Sequence, residues 1–119
     1  MSAEKSKIIV KDKKLCKQIM QLGEFEQASN VAKARMSMQD SIQLVTWNQQ
    51  GIYTKSKVVW VDDCVYRIIF IESTNPLESS IMKKGDEGEI RITEIKADEI
   101  FYEVGFNGKW FPGKLKKIK

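Results

Sequence analysis

Histidine is absent from all 119 residues. That absence removes the commonest general base, every Ser-His or Cys-His nucleophile pair and most transition-metal sites. The seven glycines form neither a phosphate-cradling loop nor a dinucleotide fingerprint. Apolar runs are short, far below the roughly 20 residues a bilayer-spanning helix requires, so no transmembrane segment is expected. The N-terminal MSAEKSKIIV has too short an apolar run for a signal peptide, and no small-residue cleavage site follows it. Carboxylates are numerous but scattered. Asp62-Asp63 is the one adjacent aspartate pair, and its place between two apolar runs reads as turn chemistry. No enzyme, cofactor or metal is expected on these grounds.

What is present is the composition of one soluble domain spanning residues 1–119, with apolar residues at 42% and charged residues at 30%. A chain of this size can bury roughly two-thirds of its unfolded surface, enough for one core. Residues 1–11 read as a frayed basic tail. Residues 1–17 hold six Lys against Glu4 and Asp12, and residues 109–119 hold five Lys and no acid. With +4 overall, +4 and +5 at the ends leave −5 for the body between. Basic ends could touch phosphate or anionic lipid. No Arg cluster and no exposed aromatics interleave with these lysines, so nucleic acid is not the expected partner.

The stretch Gly51–Ser73 organises the rest. Two runs rich in Val, Ile, Tyr, Trp and Phe, Ile52–Val61 and Cys64–Glu72, flank the aspartates and predict a hairpin. Alternation sets Trp60 opposite Tyr66, Val58 opposite Ile68 and Ser56 opposite Phe70, with Lys55, Lys57 and Arg67 on the wet face. Before it, Asp12 can cap a helix over Lys13–Leu22 whose stripe is Leu15, Ile19 and Leu22, with Gly23 as its stop. Strands are predicted at Glu24–Ala28, Val31–Met38 and Ile42–Trp47, the last two joined by Asp40-Ser41. Asn48–Gly51 leads into the central hairpin. A long connection, Ser73–Gly85, follows it.

Strands at Glu89–Ile95 and Glu99–Phe106 come next. Asn107-Gly108 then marks a two-residue turn, because type I′ geometry needs φ > 0 twice. That turn sets Val104 opposite Phe111, Tyr102 opposite Gly113, Ile100 opposite Leu115 and Glu99 opposite Lys116. Eight antiparallel strands in sequence predict an up-and-down barrel with one short helix, and a two-sheet sandwich is the competitor. Parity points Phe25, Met36, Ile42, Leu44, Phe111 and Leu115 inward with the central hairpin's apolar side. It points Trp47, Phe101 and Trp110 outward. An inward set so rich in aromatics, with no Gly or Ala, predicts a barrel filled by its own side chains.

The two cysteines, Cys16 and Cys64, are either unrelated buried thiols or a disulfide between the helix and the central hairpin. The pattern of Cys16, Gly23, Phe25, the W-x-x-D-C-x-Y run (Trp60, Asp63, Cys64, Tyr66) and the ending Gly113, Lys117, Ile118 resembles a family of small uncharacterised bacterial envelope proteins, often lipoproteins. The resemblance implies a calycin-like or lipocalin-like barrel. It also implies residence in the periplasm or envelope and a bond between Cys16 and Cys64. The missing export signal departs from that pattern.

Three roles follow as expectations. The first is a monomeric binding or structural module of the envelope, with a protein partner or a small apolar ligand. Trp60, Tyr66, Phe70 and Tyr102 are the candidate ligand-binding residues. The second is a module that uses Trp47, Phe101 and Trp110 on its surface. The third is association with nucleic acid or anionic membrane through the Lys-rich ends.

Overall fold

The computed structural model describes residues 8, 10, 12–21, 23–27, 34–39, 41–47, 51–76, 80 and 82–118. In chain order the elements are α1 (Lys14–Gln21), β1 (Glu24–Gln27), β2 (Ala34–Gln39), β3 (Ile42–Trp47), β4 (Tyr53–Asp62), β5 (Val65–Ser73), β6 (Glu87–Lys96), β7 (Glu99–Phe106) and β8 (Lys109–Lys117). Each strand pairs antiparallel with the next. β1 then closes on β8, with Phe25 opposite Lys117 and Gln27 opposite Leu115. The expected eight-stranded barrel with one short helix is the architecture. Closure removes the free edges that an open meander would expose.

The central hairpin has the register its alternation demands: Trp60 faces Tyr66, Val58 faces Ile68 and Ser56 faces Phe70. Lys57 and Arg67 stand exposed on the other face. Any one-residue slip would exchange those two sets between core and water. In the final hairpin Asn107 (φ 54°) and Gly108 (φ 76°) make the two left-handed residues of the turn. The pairs Val104–Phe111, Tyr102–Gly113, Ile100–Leu115 and Glu99–Lys116 all form. The Tyr102 ring occupies the place where a Cβ on Gly113 would stand, so only glycine fits there. The glycine leaves a gap in the inner face and the aromatic covers it.

Asp12 caps α1 as expected: its Oδ1 accepts from the Lys14 amide at 3.2 Å. The buried face of the helix is not the predicted one. Cys16 and Met20 are fully buried, whereas Ile19 is only partly covered and Leu15 is 39% exposed. Leu22, the third member of the predicted stripe, lies outside the described residues. The reason is the disulfide between Cys16 and Cys64 (S–S 2.06 Å, Cα–Cα 5.1 Å). A bonded Cys16 must face the barrel, and Met20, one turn later, faces it too.

β3 is the second correction. Ile42 and Leu44 were expected inside, but cross-strand pairing puts Gln43 beside Met38 and Ser56, and Val45 beside Met36 and Thr54, on the inner face. Trp47 turns inward with them, and Ile42 and Leu44 face out. The segment IQLVTW is apolar at both parities, so alternation could not choose. The neighbouring strands could, because Met36, Met38 and Val58 are unambiguous. Residues 28, 31–33, 40, 48–50 and 77–79, over which strand ends and loops were expected, lie outside the described residues.

Candidate ligand cavity

One end of the barrel is shut. α1 lies across it and packs against β2. Cys64 holds the helix through its disulfide, and Lys117 Nζ donates to the Ile19 carbonyl at 3.2 Å while lying 5.7 Å from the Phe25 ring centre. A cation on a carbonyl of a helix's last turn offsets the negative end of its dipole. Trp60 and Tyr66 pack ring to ring at 4.9 Å on the same end, with Lys17 Nζ 6.0 Å from the Trp60 ring. Phe25, Tyr66, Ile92 and Ile100 are essentially without exposure.

Above this floor the barrel is not filled. A cavity of about 370 Å³ lies between Met20 at the bottom and Ala34 and Trp47 toward the other end, walled by Val45, Ile68, Ile90 and Val104. The expectation of a packed interior is therefore wrong, and the inner faces show why. Ala34, Gly88, Gly113, Thr54 and Ser56 all stand at inward parity. Of these Ala34 borders the cavity, whereas the Tyr102 ring covers Gly113, and Ile42 and Leu44, expected inside, turn outward. Phe111, counted among the fillers, is 41% exposed.

Two polar pairs face the space. The Tyr66 hydroxyl donates to Gln43 Oε1 at 3.1 Å, and Gln27 Nε2 donates to the Tyr102 hydroxyl at 3.5 Å. All four residues line the cavity. Burial pushes the Tyr66 phenol well above its ordinary range, and the nearby Tyr102 adds to the effect. Burial raises Tyr102 as well, against a smaller opposing effect from Gln27. Among the described residues no cation pairs with either phenol, so burial keeps both hydroxyls protonated.

Of the four residues expected to bind, Tyr66 and Tyr102 line the cavity. Trp60 stands behind Tyr66, and Phe70, though only 5% exposed, does not line the cavity. Gln27, Gln43, Met20 and Trp47 were not anticipated. The inward Ser56 was a usable signal, since its β3 neighbour had to share its face and that neighbour is Gln43.

The outer face differs from expectation at two tryptophans. Trp47 is inside. Trp110 is outside by parity but only 7% exposed, laid over Gly105 with the Arg91 guanidinium 5.9 Å from its ring. Phe101 is outward and half covered, between the Lys96 and Lys114 ammonium groups. Lys114 is also paired with Glu99 at 2.9 Å. A second, more open hollow between Ile19, Ala97, Asp98 and Ile118 lies on the outside of the closed end. Among the described residues no cluster of His, Cys, Asp or Glu is placed to hold a metal ion, and no helix is long and apolar enough to cross a membrane. Compared with known proteins, the chain matches no family model, no curated protein and no solved structure.

Proposed function

We propose that this barrel binds one small, mostly apolar molecule in its interior and does no chemistry on it. The cavity carries the reading. At about 370 Å³ it falls within the few-hundred-Å³ range of small-molecule sites, and it combines apolar walls with a few convergent polar groups. Among the described lining residues the ionisable groups that point inward are two phenols held in their neutral form. Neither a nucleophile–base pair nor an inward carboxylate dyad is among them, which favours a carrier or sensor over an enzyme.

An oxidising location belongs to the same proposal. The Cys16–Cys64 disulfide supports residence outside a reducing cytosol, and the likeness to bacterial envelope proteins points the same way. Native mass spectrometry of protein purified without detergent or organic solvent tests both parts. The expected spectrum shows the oxidised chain with one adduct per barrel, or one added apolar probe bound at saturation. Reduced chain that takes up no probe at any concentration rules the proposal out.

A further inference from the structure

The interior's polar groups say what kind of head group the bound molecule carries. Gln43 is 8% exposed and its Oε1 already accepts from Tyr66. Its amide N–H groups are therefore left for a guest, as are the lone pairs of the Tyr66 oxygen. In the second pair Gln27 supplies the donor, which leaves the Tyr102 O–H as a donor and Gln27 Oε1 as an acceptor. Each pair thus offers one donor and one acceptor to the space between them.

Charge is the other half of the argument. Lys117 has inward parity but is spent on the Ile19 carbonyl beneath the floor. Arg35 borders the cavity, yet it stands at outward parity on β2 and is exposed. No carboxylate lines the cavity among the described residues. A buried carboxylate or ammonium would therefore lose its hydration without gaining a counter-ion, a far larger loss than a hydroxyl or amide suffers when it is hydrogen-bonded.

Resting on the interior-binding reading, we infer that the guest is a neutral amphipath. Its head is a hydroxyl or a carboxamide, seated between Gln43–Tyr66 and Gln27–Tyr102, and its apolar tail runs toward Trp47. The cavity's volume equals the liquid share of roughly a dozen waters, which limits the guest to a short chain or one or two rings.

The test titrates the oxidised full chain with decanol, decanamide, decanoate and decylammonium at neutral pH, and with naphthalene as a probe that has no polar head. Tryptophan emission and calorimetry are the readouts. Decanol and decanamide should saturate one site and bind roughly a hundredfold tighter than either ion. Gln43→Leu should weaken decanol by about tenfold and leave naphthalene unchanged. Tyr66→Phe serves the same purpose if the first variant fails to fold. Decanoate or decylammonium binding as tightly as decanol overturns the neutral-head assignment while leaving interior binding intact. So does decanoate binding that Arg35→Gln abolishes, because the head then sits at the rim. Naphthalene bound alone, or decanol indifferent to both variants, also removes the polar-head assignment. If none of the five compounds binds, the interior-binding reading itself fails and takes this inference with it.

Discussion

The closed end and the open half of this barrel are built on opposite rules, although the same strands run through both. At the closed end α1 is fixed by a disulfide, by Lys117 on its carbonyl and by Met20 pressed into the interior. Large side chains there reach zero or near-zero exposure. Toward the open end the inner face thins to Ala34, Thr54 and Gly88, and Trp47, Ile68 and Val104 remain only half-buried. An eight-stranded barrel is just wide enough either to be packed or to hold one small guest. This chain does one at each end. Stability is concentrated where the helix sits, and the open half gives up packing for space.

That contrast can be broken in several ways. The largest effect should come from the staple. In the chain-entropy view, a cross-link at a sequence separation of 48 contributes about 4 kcal/mol. Urea unfolding with and without reductant, or of the Cys16→Ala/Cys64→Ala double variant, should show a loss of that order. A loss below about 1 kcal/mol would mean that packing alone holds the helix.

Next comes a turn far from the staple. Asn107→Val or Gly108→Val forces a β-branched residue to positive φ and should cost about 1–3 kcal/mol. Thermal melts of both variants measure it. Melting unchanged within a degree would undo the final hairpin's register.

Alkali should act on the two interior tyrosines. Above the phenol's ordinary pKa of 10.0 the unfolded chain sheds protons that the folded protein keeps on Tyr66 and Tyr102. The tyrosine contribution is therefore flat below that pH and unfavourable above it, by up to about 1.4 kcal/mol per pH unit for each residue. Denaturation curves of parent and Tyr66→Phe across that range isolate the effect. A parent and variant with the same slope would place Tyr66 in contact with water.

The smallest change tests the contrast most directly. Ile92→Phe, in the packed zone, should cost about 1–3 kcal/mol by overpacking. Val45→Phe, on the cavity wall, should change stability by less than about 1 kcal/mol while abolishing apolar-probe binding, because it fills space instead of displacing neighbours. Equal costs at the two positions would mean the interior is uniformly packed.

Much of the architecture was legible in the chain because its signals were local and one-sided. Wherever one parity of a strand is polar, as in Lys55, Lys57 and Arg67 of the central hairpin, alternation leaves a single register. Asn107-Gly108 is as direct, since few other residue pairs tolerate two left-handed conformations. The site was half legible. Tyr66 and Tyr102 were found because aromatic residues in strands stand out, whereas Gln27 and Gln43 looked like ordinary surface polar residues. The helix misled because it has two apolar sides, and the disulfide decides which one faces in.

The sequence by itself therefore determined the number of strands, their order, the registers of both clear hairpins and the absence of histidine chemistry. All of these follow from turn residues and from contacts between neighbours in the chain. Tertiary structure alone decided three things: which face of β3 is inside, how α1 is rotated, and whether the barrel is full. Each of these is a sum over side chains from distant strands meeting at one axis. A cavity is what remains after that sum, and no single stretch of sequence contains it.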